Sequence, residues 1–264
     1  GGVSNAHNGV MAYEHAYQGV EARKAYFFMG DAMVCMGSGI KAARTQEVRT
    51  SVNQCLANGE VTYGLSGHTY RLTNNLSDKN IDWAYHDNVG YIFPQNESVT
   101  LRKAKQTGAW RELEVTASDK PVTKEIFSLW VSHGTTPQHE DYCYIIMPDK
   151  PLSYFTDKKF ENEIKIIVNS EQIQAISNEN KRQYAAVFYE PGEIRFAEDL
   201  VVAVNKKVII YIEKKDKQYE IAVADPLYKE QSLQLSMNGE QINIVFPSGD
   251  YSGSSVIKHI TEKH

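Results

Sequence analysis

Two histidines occupy sequence contexts in which acid–base chemistry would be sought first. His86 lies in Trp83-Ala84-Tyr85-His86-Asp87-Asn88-Val89-Gly90-Tyr91-Ile92-Phe93-Pro94, beside a carboxylate. His133 lies in Leu129-Trp130-Val131-Ser132-His133-Gly134-Thr135-Thr136-Pro137. An imidazole titrates near neutral pH, so either ring could act as a base if a pocket enclosed it. Adjacent residues on a strand point to opposite faces, which separates His86 from Asp87 and argues against a dyad. Asp87-Asn88 suits a turn, with Gly90 supplying unusual backbone angles. His133 suits the end of a strand before a Gly/Pro turn. Both histidines are therefore read as structural, and no catalytic, cofactor-binding or metal-binding residue is assigned.

Other chemistries find less support. The chain carries no GxSxG, HExxH, P-loop or GxGxxG motif and no Asp-x-Asp calcium loop. Its 33 acidic residues keep a two-carboxylate glycosidase in view, but no spacing favours one. Cys35, Cys55 and Cys143 have no CxxC or Cys/His ligand spacing and read as small buried hydrophobes. Tyr26, Phe27, Phe28, Tyr85, Tyr91, Trp110 and Trp130 could form a sugar-stacking platform, although aromatic residues on strands commonly fill the space between sheets.

The elements that must position these residues are strands. Short runs of β-branched and aromatic residues recur, separated by Gly, Asn, Asp and Pro, which is the pattern of a sandwich or barrel. Ala25–Met29 and Ala32–Met36 flank Gly30-Asp31, a tight hairpin with glycine at the first position of a II′ turn. In Val48–Gln54 the two valines share one face, with Arg49 and Asn53 on the other. Further strands are expected at Ile81–His86, Val89–Phe93, Val99–Lys103, Ile126–His133 and Tyr142–Met147. Asp149–Asn162 is charged and contains Pro151, and reads as a connection with one short helix. A second series follows at Ile164–Val168, Ile173–Asn178, Ala185–Tyr189, Leu200–Val204, Val208–Glu213, Glu220–Ala224, Leu233–Met237, Ile242–Phe246 and Val256–Ile260. Asn238-Gly239 between two of these strands is a hairpin signal. The expected fold is all-β, a large antiparallel β-sandwich over residues 1–163 followed by a smaller one over 164–264.

Composition narrows the partners. The net charge of −5 gives no basic face for nucleic acid, and no apolar run reaches membrane-spanning length. Arg23-Lys24, Arg102-Lys103-Ala104-Lys105 and Lys214-Lys215-Asp216-Lys217 read as solvated hairpin tips or edge-strand guards. The 16 tyrosines fit half-buried pleated surfaces. The chain opens at Gly1-Gly2-Val3-Ser4 without an initiator methionine or a signal peptide, as an excised or processed segment would.

Several blocks, in order, resemble polysaccharide lyase family eight, and most of all its chondroitin AC lyases. They are Gly1–Ser4 with Gly9-Val10-Met11-Ala12-Tyr13, Ala22–Met29, Val34–Ile40, Thr50–Gln54, His86–Pro94, and Leu129–Gly134 with Pro137, Tyr142, Tyr144 and Pro148. Gln172-Ile173-Gln174-Ala175 and Ala224-Asp225-Pro226-Leu227 resemble the family's small terminal β domain. Tyr26 stands where the family often has Trp, and Met29 where it often has Phe; both swaps keep a large apolar side chain. The resemblance implies a supersandwich followed by a terminal sandwich. It implies β-elimination on uronic-acid polysaccharides such as chondroitin sulfate and hyaluronan, in which a tyrosine moves the proton while Asn, His and Arg handle the uronate. Those catalytic residues belong to an N-terminal helical toroid and match no position here. The expectation is thus a non-catalytic β portion of a polysaccharide lyase that supports the substrate cleft. Its partners are the helical toroid and a glycosaminoglycan, it is secreted or periplasmic, and calcium is confined to the parent enzyme. The alternative is a free-standing carbohydrate-binding β-sandwich. A wide apolar patch for the helical domain is the structural sign to look for.

Overall fold

The computed structural model describes residues 1–43, 45–95 and 97–262. Strands β1 (Gly2–Ser4), β2 (Gly9–Tyr17), β3 (Val20–Met29) and β4 (Ala32–Ala42) come first. They are followed by β5 (Glu47–Leu56), β6 (Val61–Leu65), β7 (His68–Arg71), β8 (Leu76–Lys79), β9 (Trp83–His86), β10 (Val89–Ile92), β11 (Val99–Gly108) and β12 (Val122–Thr135). β13 (Glu140–Pro148) leads into a short helix, α1 (Leu152–Thr156). The rest of the chain forms β14 (Lys165–Asn169), β15 (Ile173–Asn178), β16 (Gln183–Phe188), β17 (Gly192–Ala197), β18 (Leu200–Val204), β19 (Val208–Lys215), β20 (Gln218–Ala224), β21 (Ser232–Met237), β22 (Glu240–Val245) and β23 (Val256–Thr261). Among the described residues no helix is long and apolar enough to cross a membrane.

The chain divides into two compact units. The first is Gly1–Ala43 with Gln138–Ile146 and Lys158–His264. It holds the antiparallel run β1-β2-β3-β4-β13, a six-stranded sheet β14-β15-β16-β19-β20-β23 and a four-stranded sheet β17-β18-β21-β22. The last two sheets face each other across a core of Phe188, Phe196, Val202, Ile210, Ile212, Leu233 and Leu235. Alternation explains this core. Val208, Ile210 and Ile212 point into it, while Tyr211 and Glu213 take the opposite face of β19. Fully burying each large aliphatic side chain contributes about 1.5–3 kcal/mol.

The second unit is Arg44–Pro137 with Met147–Asp157. It holds the run β10-β9-β6-β7 and a four-stranded sheet β5-β12-β11-β8. Val99, Leu101, Phe127, Leu129 and Val131 are buried on one face of the latter. Phe127 meets both His86 and Tyr91, with ring centroids 4.4 and 6.2 Å apart.

Hairpin signals in the sequence are met in the structure. Gly30 has φ +58 and links β3 to β4 as expected of a II′ turn. Asn238 and Gly239, at φ +52 and +83, make the I′ turn between β21 and β22. Asp87 and Asn88 are likewise both left-handed, at φ +49 and +61. Three readings need correction. Gly90 has no positive φ; it is glycine because the Phe155 ring of α1 lies where a Cβ would stand. A bulge in β5 at Val52 shifts the register against β12, so Asn53 and Cys55 turn to the face that Arg49 does not use. Arg23-Lys24 is neither a tip nor an edge but the middle of β3. Sequence reading also passed over β1, β2, β6, β7, β8 and β17, which are short, polar on one side or wholly exposed.

Candidate functional surfaces

His86 comes first, as the residue most suited to chemistry. β9 turns it inward, where its ring stacks on Phe127. Its Nδ1 lies 3.8 Å from the Cys55 thiol, which the β5 bulge brings to the same face. The Asn53 amide lies 3.7 Å from that sulfur and also donates to the Tyr91 hydroxyl. Cysteine, histidine and asparagine thus meet as in a thiol catalyst, but the electrostatics run the wrong way. Burial lowers the His86 pKa, while burial and the Asp87 charge raise that of Cys55. Both groups stay neutral, so no thiolate–imidazolium pair forms. The Asp87 carboxylate accepts from Asn58 Nδ2 at 3.1 Å, and its charge offsets only part of the lowering that burial imposes on His86. Burial also pushes the Tyr91 hydroxyl up to about 12.

His133 is buried and its Nε2 is 2.8 Å from Thr50 Oγ1 on the neighbouring strand. That bond joins β12 to β5, and the residue belongs to the strand interior. On the opposite face of the same sheet the Arg49 guanidinium lies over the Trp130 ring at 4.6 Å. Glu47 holds Arg49 there, accepting from its Nε at 2.7 Å. Trp130 therefore does not offer a bare ring face to a sugar.

In the first unit an aromatic cluster spans β2, β3, β4 and β13. Register places Met11, Tyr26, Cys35 and Tyr144 in one row across the four strands, and Tyr13, Lys24, Gly37 and Tyr142 in the next. Tyr13 stacks on Tyr26, and Tyr142 on Tyr144. Gly37 has no side chain because the Tyr142 ring lies over it. Burial raises the pKa values of Tyr26, Tyr142 and Tyr144 well above the ordinary tyrosine range. A tyrosine that must accept a proton needs the opposite shift. His15 shares this face with Tyr13, but the adjacent guanidinium, Arg23, faces the other way, to Glu14, Glu190 and the Tyr189 ring. No tyrosine, histidine and arginine converge here.

The cluster is dry at one end and open at the other. Met11, Tyr13, Tyr17 and Phe28 are exposed on the same face of the β2–β3 hairpin. A groove of about 780 Å3 runs beside it, lined by Val3, His7, Met11, Tyr13 and Phe28 among others. Of the sequence's aromatic candidates, Phe27 and Tyr91 are core, Tyr26, Tyr85 and Trp130 are half-buried, and Phe28 and Trp110 are exposed. Sequence reading missed the contributions of Tyr13, Tyr142 and Tyr144, which only strand register brings together. The three cysteines form no disulfide. Among the described residues no group of three or more His, Cys, Asp or Glu is placed to hold a metal ion.

Comparison with known proteins puts these surfaces in a family. The model of the polysaccharide lyase family 8 super-sandwich domain matches residues 1–159, and that of the family's C-terminal beta-sandwich domain matches residues 165–234. Chondroitinase-AC of Pedobacter heparinus is 30% identical over 267 residues, covering 97% of this chain and 37% of that protein. A xanthan lyase of Bacillus sp. is 24% identical, covering 78% of this chain and 23% of that protein. A solved structure of a chondroitinase AC lyase superposes with a TM-score of 0.91 at 28% identity, over 98% of this chain and 39% of that one. The chain thus spans between 23% and 39% of the length of these relatives, and in it we see both of the family's β domains: it belongs to polysaccharide lyase family 8.

Proposed function

We propose that this chain is the non-catalytic β portion of a lyase that cleaves uronic-acid polysaccharides, chondroitin sulfate or hyaluronan, by β-elimination. Its role is to support one side of the substrate cleft and to dock the helical domain that carries the reactive groups. The observation that carries this reading is the open end of the tyrosine cluster. Met11, Tyr13, Tyr17 and Phe28 are exposed on one face of a hairpin whose other face is buried at Val10, Ala12, Ala25 and Phe27. Exposed apolar patches of this kind mark interaction surfaces. The buried base of the cluster makes the face rigid, as a docking wall requires.

The electrostatics favour the same reading. Removing a proton alpha to a carboxylate requires a base and a cationic clamp on that carboxylate. Burial holds Tyr26, Tyr142 and Tyr144 protonated, and the neighbouring guanidinium, Arg23, faces away. On this reading any calcium ion is bound by the helical side of the assembly, and the enzyme works where its polysaccharide is found, outside the cytoplasm.

The test is the ultraviolet absorbance of the unsaturated uronate released from chondroitin sulfate and hyaluronan. The chain on its own should give a flat trace at every pH tried. A steady rise that scales with its concentration would overturn the proposal.

A further inference from the structure

The second unit carries a projecting arm. β8 pairs with β11 only at Val99 and Leu101, and β5 pairs with β12 only from Ile126 to Thr135. β11 and β12 continue to pair with each other as far as Gly108 and Val122. From Lys105 outward, then, a two-stranded ribbon runs with no flanking strand among the described residues. Such ribbons are marginal by themselves, yet this one ends in an ordered tip. Trp110–Glu112 forms a 3-10 turn, Arg111 N–H donates to the Ser118 carbonyl at 3.1 Å, and Ala117 N–H donates to the Glu114 carbonyl at 2.9 Å.

The tip exposes what soluble surfaces normally hide. Trp110 is 62% exposed, Leu113 83% and Val115 76%. The charges around it are asymmetric in their availability. Residues 102–125 hold six cations and four acids, against an overall charge of −5 for the chain. The acids are engaged locally: Glu112 Oε1 accepts from Ala109 N–H, Glu114 accepts from Thr116, Asp119 lies near Arg111 and Glu125 near Lys103. The side chains of Arg102, Lys105, Lys120 and Lys124, by contrast, have no ion-pair or hydrogen-bond partner among the described residues.

An exposed indole at the tip of a ribbon that carries unspent cations matches a ligand that is flat and apolar on one face and anionic at its edge. We propose that this ribbon is a contact arm for an anionic polysaccharide. Trp110 stacks on a sugar ring, and Arg102 and Lys124, which register places on one face of the ribbon, together with Lys120 near the tip, meet carboxylate or sulfate groups along the polysaccharide. The proposal rests on the reading that the parent enzyme acts on uronic-acid polysaccharides. It adds a place where this chain itself touches them, on a different unit from the β2–β3 docking face.

The experiment is a titration of this chain with a chondroitin sulfate hexasaccharide, followed by the amide resonances and the Trp110 indole N–H resonance. A neutral glucan hexasaccharide serves as control. Residues 102–124 and the Trp110 indole should shift with the anionic sugar alone, and added salt should weaken the effect. Trp110→Ala, and separately Arg102→Glu with Lys124→Glu, should each weaken binding by about tenfold while the rest of the spectrum stays unchanged. A silent ribbon, or variants that bind as tightly as the parent, would overturn the assignment. Ribbon shifts that follow protein concentration instead of sugar would identify a second copy as the occupant and overturn it equally. A silent ribbon with no turnover leaves the scaffold reading intact, whereas turnover by the chain alone defeats that reading whatever the ribbon does.

Discussion

His86 shows how one burial decision settles a chemical question. Desolvation holds its pKa below the ordinary 6.5, so the folded state prefers the neutral ring. The unfolded chain then takes up a proton before the folded one does. Stability should be level above about pH 7 and should fall as pH drops through 6.5 toward the folded value. Thermal unfolding between pH 8 and pH 5 should show this decline, and His86→Gln should flatten it; an equal slope in both proteins would mean other groups are responsible. The sequence made the Asp87-Asn88 turn beside His86 legible. It did not reveal Cys55 or Asn53 as neighbours, because a bulge at Val52 reverses the alternation that a strand is assumed to keep. Gly90 teaches the related lesson that a glycine can be required by a ring instead of by a backbone angle. Gly90→Ala should cost about 1–3 kcal/mol through overpacking against Phe155. A loss under half a kcal/mol in denaturant titration would mean α1 moves aside freely.

The hairpins were the most legible elements, because their turns use residues chosen for positive φ. At Asn238-Gly239 the two residues contribute differently. Gly239 supplies only its backbone freedom at φ +83. Asn238 also accepts from Val201 N–H at 2.8 Å and donates to the Asp199 carbonyl at 2.7 Å, tying the β21–β22 turn to β18. Gly239→Ala should therefore cost about 1 kcal/mol, and Asn238→Ala about 2 kcal/mol, since two hydrogen bonds go with the left-handed preference. Equal losses would show that the side chain's bonds do not bear on stability. Edge strands were the least legible. β7 is exposed along its whole length, so no alternation marks it. β2 carries Met11, Tyr13 and Tyr17 on its exposed side, which blurs the contrast that a strand reading needs. The same feature that concealed β2 is the one that makes it a candidate docking wall.

For the chain as a whole, the ordered blocks Gly1–Ser4 through Pro148 and then Gln172–Ala175 and Ala224–Leu227 were enough to recognise both β domains, which the family matches over residues 1–159 and 165–234 establish. What stayed illegible was every surface made by register across strands, the tyrosine rows and the Arg49–Trp130 pair above all. The central claim is that no group among these residues acts on the scissile bond. The most direct test places His86→Gln, His133→Gln and Tyr91→Phe, one at a time, in a polypeptide that also carries the helical domain, and measures kcat at temperatures where each variant is folded. A residue acting as general acid or base would lower kcat by about 10²–10⁴-fold. The account predicts that kcat stays within about threefold of the parent for all three, and a hundredfold fall in any folded variant would contradict it.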